Sequence, residues 1–209
     1  ILLARAKVRY LLGKFGEGIE DLERLLESRP DDGVAWLYFG NLLTGLALSE
    51  GVAGRDPLAP LGRAIERYTG ALERRANPAT VLNDRGIALG RMGQAQAERG
   101  LDGREALDGA IRDFTKLIQA QVLDNVSFMN RGGTRLWRAN AEESFGGDPI
   151  PSLDAALEDL NEAVRLGDED PHHRYVRSQV LLGRAVAGRK RGEDSRPLLR
   201  KALEDLERN

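Results

Sequence analysis

The 209-residue sequence has no cysteine, which excludes disulfide staples, cysteine-ligated zinc and a thiol nucleophile. It has only two histidines, adjacent at His172 and His173. They are too few for a histidine-based metal or catalytic site. They follow Pro171 at a helix start, where exposed histidines are the ordinary finding. No apolar run reaches the roughly eighteen residues that a membrane span needs. Lys and Arg number 31 against 33 Asp and Glu, so no charge excess draws the chain to nucleic acid or to an anionic membrane. The arginines are interspersed with Glu and Asp, the pattern of a solvated, salt-bridged face. Aromatics are only 5% of residues, and no alternating run of useful length is present, which argues against sheet. What is abundant is Ala, Leu, Arg and Glu, a helix-forming set. No catalytic residue, cofactor or metal ligand set is expected.

An internal repeat governs the chain. A shift of 46 residues aligns Ala64, Ala110, Ala156 and Ala202, and beside them Ile65, Ile111, Leu157 and Leu203. Tyr68, Phe114, Leu160 and Leu206 form a third column, and Gly40, Gly86, Gly132 and Ser178 a fourth. A repeat of about 20–50 residues means a solenoid or array. Within a unit, Leu61, Ala64, Ile65, Tyr68, Ala71 and Leu72 follow the spacing of one helix face. A second helical stretch precedes each such face, over 33–52, 79–98, 125–144 and 171–190. Each unit is therefore read as two antiparallel helices, A then B.

The turns carry their own signals. Gly54, Gly100, Gly146 and Gly192 stand where helix A must stop and left-handed backbone is convenient. Two residues later come Asp56, Asp102, Asp148 and Asp194, expected to be N-caps of helix B, with Pro57 and Pro149 at the first helical position. A single carboxylate per unit cannot close a metal site, so capping is the reading for these four.

The run Ala35-Trp36-Leu37-Tyr38-Phe39-Gly40-Asn41-Leu42-Leu43, continued at Ala64-Ile65, Tyr68 and Ala71-Leu72, resembles the tetratricopeptide repeat, TPR. Asp84-Arg85-Gly86 and Asn130-Arg131-Gly132 are similar to the Asn-Arg-Gly variant common in bacterial TPRs. The resemblance covers essentially the whole chain and implies an all-α, right-handed solenoid of about five helix-turn-helix repeats with a continuous core. The units run over 1–32, 33–78, 79–124, 125–170 and 171–209. The first is the ordinary short form. The others depart from the family: the step from Gly40 to Ala64 is twice the usual one, and a TPR of about 34 residues leaves about twelve extra per unit. These are expected to lengthen helix A through 46–52, 92–98, 138–144 and 184–190 and to extend the start of helix B, giving a wider ribbon with a deeper groove. The glycines of the fourth column let helix A approach its own helix B, and Tyr68, Phe114 and Leu160 are expected to fill between units.

In the family helix A lines a concave groove. The resemblance therefore implies a non-enzymatic scaffold holding a peptide or protein segment at Tyr38, Asn41, Asn83, Asp84, Asn130, Trp137, Tyr175 and Gln179. Leu37, Ile87, Met129, Gly133 and His172 fall on further groove positions. Tyr38, Trp137 and Tyr175 have packing between units as the competing role. A chaperone-tail adaptor is argued against, because Asp84 would repel a peptide carboxylate. The alternatives are a structural module, forming a homodimer through uncapped solenoid ends at Leu198, Leu199 and Leu203, and a regulatory region of a larger signalling enzyme. The sequence opens at Ile1 and stops within helical patterns, which reads as a fragment of a longer protein; the expected compartment is the cytoplasm.

One pattern predicts a direct contact. Arg5, Arg85, Arg131 and Arg177 share a helix A column, and Asp21, Asp113, Asp159 and Asp205 share a helix B column. In unit two both change together, to Phe39 and Arg67. Joint loss is what a contact produces, so an Arg–Asp pair is expected inside the other hairpins.

Overall fold

The structure is a computed structural model that describes residues 1–121, 124–167 and 170–208, the Asp124 side chain excepted. The described residues form ten α-helices and no strand: α1 (Leu2–Leu11), α2 (Phe15–Ser28), α3 (Gly33–Val52), α4 (Leu58–Glu73), α5 (Pro78–Glu98), α6 (Arg104–Gln119), α7 (Asp124–Ser144), α8 (Ile150–Leu166), α9 (Pro171–Arg189) and α10 (Arg196–Glu207). Odd-numbered helices are the A helices and even-numbered ones the B helices. Each packs on its neighbours in sequence. Among the described residues, no helix is long and apolar enough to cross a membrane.

The extra residues of the repeat go mainly into helix A. Helices α3, α5 and α7 have 20, 21 and 21 residues, against 16, 16 and 17 in α4, α6 and α8. At 1.5 Å per residue an A helix is about 30 Å long. Each A helix ends on a left-handed glycine, with φ of +70° at Gly13, +72° at Gly54, +73° at Gly100, +74° at Gly146 and +80° at Gly192. Two hydrogen bonds close each stop. At the first long hairpin the Gly54 N–H donates to the Gly51 carbonyl at 3.0 Å and the Arg55 N–H to that of Glu50 at 2.8 Å. This Schellman arrangement satisfies carbonyls that the helix leaves unpaired. Helix B then starts one residue later than expected, so Pro57 and Pro149 stand just before it. The four Asp carboxylates still satisfy its first free donors, accepting from the N–H of Leu58, Arg104, Ile150 and Arg196 at 3.0–3.1 Å.

Within a hairpin, a missing Cβ on helix A sets the fit. A Cβ added at Gly40 would lie 2.5 Å from the Tyr68 ring, at Gly86 2.8 Å from Phe114 and at Gly132 2.7 Å from Leu160. The bulky column therefore sits on the glycine of its own hairpin rather than filling between units as expected. The helices cannot approach this closely if the glycine carries a side chain.

The Arg–Asp pairs are present in all four hairpins that have the residues, and each is bidentate. Arg85 Nε and Nη2 donate to Asp113 at 2.7 and 2.8 Å. Arg131 does the same to Asp159 at 2.9 and 2.6 Å, and Arg5–Asp21 and Arg177–Asp205 repeat the geometry. The carboxylates are buried, Asp113 at 2% and Asp159 at 3% exposure, so losing Arg85 strands the charge of Asp113, at a cost of about 3–5 kcal/mol. In three of these pairs the arginine's third donor reaches back to helix B of the preceding unit: Arg85 to Thr69, Arg131 to Thr115 and Arg177 to Asn161, each at 3.1 Å. One guanidinium thus ties three helices. In unit two the Arg67 guanidinium instead lies over the Phe39 ring at 4.6 Å and the Trp36 ring at 4.8 Å, a cation–π contact on the same two columns.

Buried apolar residues form one cluster over α1–α5, a small one around Ala110, Phe114 and Leu117, and a third over α7–α9. Polar contacts also join α6 to α7: Arg131 to Thr115, and Arg138 Nε to Asp108 at 2.9 Å.

Candidate binding groove

Helix A of each hairpin approaches helix A of the next, α1 on α3, α3 on α5, α5 on α7 and α7 on α9, whereas among the described residues no pair of B helices comes as close; long side chains span those gaps, Arg63 to Glu23 at 3.8 Å and Lys201 to Asn161 at 3.2 Å. A stack that is tighter along one row curves toward it. The A helices therefore line the concave face, and this face divides into two halves of different chemistry.

Over α3–α5 the inner surface is a run of hydrogen bonds. Tyr68 crosses the hairpin over Gly40, and its hydroxyl lies 3.1 Å from Thr44 Oγ1 and 2.8 Å from the Asn41 amide. The surroundings orient that amide with its nitrogen donating to Tyr68 at 2.8 Å, to Asp84 Oδ2 at 3.1 Å and to the Leu37 carbonyl at 3.2 Å. Tyr68 then donates to Thr44, which donates to the Gly40 carbonyl at 3.0 Å. On the other side the Asn83 amide donates to Asp84 Oδ1 at 3.1 Å, and Asn130 donates to Asn83 Oδ1 at 3.4 Å. Burial pushes the Tyr68 phenol far above its ordinary value, which keeps it neutral. Burial also pushes the Asp84 carboxyl up, with the amides of Asn83 and Asn41 pulling it partly back. Among the described residues no cation lies within ion-pair distance of Asp84.

Over α5, α7 and α9 the inner surface opens into a cavity of about 380 Å³. Asn130, Trp137, Tyr175 and Gln179 line it, with Ile87 and Met129. A Cβ at Gly133 would meet nothing within 4 Å, so Gly132 serves the packing with Leu160 while Gly133, one residue on, leaves the cavity floor open. Tyr175 is 50% exposed. Trp137 packs between units and also borders the cavity: its ring lies 3.1 Å from where a Gly90 Cβ would stand, with Arg91 5.5 Å from the ring centre.

The structure thus brings four of the eight candidate residues around one cavity and joins Asn41, Asn83 and Asp84 to it through Asn130. Tyr38 stands apart. It packs against the α1–α5 core, with Lys7 Nζ 4.3 Å from its ring centre. Leu37 is buried and leaves the groove set. His173 is also not the exposed residue expected: it is 2% exposed, with Nδ1 3.2 Å from the Gly167 carbonyl. Arg91, Leu136 and Val176 line the cavity without having been expected there. They follow or precede expected groove residues by one helical step, which was the available signal.

No family model matches the sequence, and the search of curated proteins found no match. Solved structures are. YrrB, a TPR protein with an unusual peptide-binding site, superposes with a TM-score of 0.63 at 14% identity, over 98% of this chain and 84% of its own. A MamA double mutant, RS-1 ArsTM, gives 0.59 at 14% identity over 99% and 93%. Another MamA structure gives 0.56 at 16% identity over 99% and 91%. At identity this low the superpositions establish the fold alone. The chain is a TPR-like helical solenoid.

Proposed function

We propose that the chain is a non-enzymatic, cytoplasmic protein-interaction scaffold, a single solenoid that holds a peptide or protein segment in the concave cavity between α5, α7 and α9. The observation that carries this is the division of labour between adjacent residues. Gly132 and Arg131 are consumed by packing on α8, while Asn130, Gly133 and Trp137 of the same helix face an open cavity with Tyr175 and Gln179 opposite. Amides and flat rings suit an extended segment, the former pairing with its backbone and the latter covering its side chains. The peptide-binding site ascribed to YrrB, which has the same fold, supports the reading.

The test is selection from a random-peptide library with the wild type and with Gly133→Leu. That substitution fills the cavity from an open position and removes a glycine from a helix interior, a change that favours the helix by about 0.5–1 kcal/mol. Peptides retained by the wild type and lost with a stably folded Gly133→Leu are the expected result. Selection of nothing, or of peptides indifferent to Gly133→Leu, refutes it. Self-association is a second reading, favoured by Leu203 and Leu206, which are 55% and 45% exposed on α10. Sedimentation of a concentration-independent monomer refutes that one.

A further inference from the structure

The concave face holds a charge that the fold itself does not answer. Asp84 is half-buried on α5, and both carboxylate oxygens accept from neutral amides, Oδ1 from Asn83 and Oδ2 from Asn41. Buried carboxylates elsewhere in the chain are clamped by arginine, Asp21, Asp113, Asp159 and Asp205 alike. Asp84 occupies the groove column that holds Asn130 one unit later. The exchange replaces a group that both donates and accepts with one that only accepts. Each oxygen keeps a further lone pair, and the two amides hold the carboxylate in one orientation. Desolvation without a counter-charge is costly, and a ligand that brings the counter-charge recovers that cost on binding.

The neighbouring cavity supplies the second half of the chemistry. It begins where Asn130 meets Asn83, next to Asp84, and its walls are apolar at Ile87, Met129, Trp137 and Tyr175. Adjacent helix axes stand about 8–10 Å apart, and an extended chain advances about 3.3 Å per residue. A segment lying across α5 and α7 therefore spans the step from Asp84 to the cavity in roughly three residues.

Resting on the proposal that the groove holds a peptide, we infer that its ligand is an extended segment carrying a Lys or Arg that pairs with Asp84 and, about three residues away, a bulky apolar side chain that enters the cavity. Asp84 is then the specificity-determining residue for charge, and the cavity the one for size. The rule disfavours acidic segments at this position, because a second carboxylate against Asp84 would meet no cation.

A positional-scanning peptide library separates the two claims, using wild type, Asp84→Asn and Gly133→Leu, each checked for an unchanged helical spectrum. The wild type is expected to prefer Lys or Arg over Gln at one position by tenfold or more, with a large apolar residue about three positions off. Asp84→Asn is expected to keep the apolar preference and lose the basic one. Gly133→Leu is expected to lose the apolar preference. Wild-type peptides with no basic preference, or a basic preference unchanged in Asp84→Asn, overturn this inference and leave the groove reading standing. Selection of acidic residues at that position overturns it as well. A wild type that retains no peptide overturns both.

Discussion

The hairpin α3–α4 and the hairpin α7–α8 solve the same packing problem with different chemistry. In the second, Arg131 clamps Asp159, with Arg135 Nη1 adding a third contact at 2.6 Å. In the first, the two columns hold Phe39 and Arg67, and the guanidinium lies on the ring. The junctions between units differ in the same way. Arg138 pairs with Asp108 at 2.9 Å and Arg184 with Asp154 at 2.7 Å. One repeat earlier those positions are Met92 and Gly62, where the methionine methyl lies 3.6 Å from the place of a Gly62 Cβ. Twice, then, both partners of a contact change at once. Such columns mark contacts rather than residue types. Where the second pair is missing, a cavity of about 510 Å³ opens on the outer side of α4–α6, lined by Gly62, Met92 and Arg112.

The largest effect expected from this contrast is at Asp159. Asp159→Ala strands Arg131 and Arg135 and should lower stability by about 3–5 kcal/mol in urea titration, whereas Arg67→Ala should lose about 1–2 kcal/mol, the scale of a cation–π contact. Equal losses would erase the distinction. Next is the exchange of one chemistry for the other. Phe39→Arg alone sets a second guanidinium beside Arg67, and Arg67→Asp alone sets a carboxylate against a ring. Both should destabilise, and the double variant should recover at least about 1 kcal/mol relative to their sum; strict additivity would mean the columns do not touch. A smaller gain, about 0–1 kcal/mol, is expected when Gly62→Asp and Met92→Arg together install the missing junction pair. A melting temperature lowered by that double variant would show the junction geometry to be unsuited to it.

Two carboxylates in the first half of the chain should respond oppositely to pH. The Asp21 carboxyl is held below its ordinary value by hydrogen bonds from Arg5 and Arg9. Its contribution to stability is present above the ordinary value and is lost as pH falls through the lowered one. The Asp84 carboxyl is raised by burial, with hydrogen bonds from Asn83 and Asn41 partly opposing. The folded chain keeps that proton longer than the unfolded one, so the contribution of Asp84 is greatest below the ordinary value and falls as pH rises through the raised one. Stability profiles of Asp21→Asn and Asp84→Asn against the wild type should therefore diverge in opposite directions. The first loses its disadvantage toward low pH, and the second gains on the wild type as pH climbs out of the acidic range. Parallel profiles would contradict the assignment.

Much of this was legible in the sequence, for a physical reason. The Arg131–Asp159 type of pair repeats, and its one joint exception in unit two exposes the contact. The Arg138–Asp108 type carries the same signal less plainly, because its partners belong to different units. The left-handed glycines were readable because Gly54 and its copies have no other role. The reach of Tyr68 across Gly40 to Asn41 and Thr44 was not readable: it depends on the angle at which two helices cross, which no column records. His173 turns inward, where the Gly167 carbonyl lies within hydrogen-bond distance, a placement that no residue pattern records. In the groove, the helix A positions were placed by resemblance, but which of them remain open was decided by packing. Leu37 and Tyr38 are drawn against the core, while Asn130, Trp137, Tyr175 and Gln179 converge.

The most direct test of the functional account is to map a library-selected peptide on isotope-labelled protein by nuclear magnetic resonance. The account predicts that the Trp137 indole N–H and the side-chain amides of Asn130 and Gln179 shift on binding, while backbone amides of α4, α6 and α8 on the outer row stay in place. Shifts confined to α4, α6 and α8, with Trp137, Asn130 and Gln179 unmoved, would contradict it.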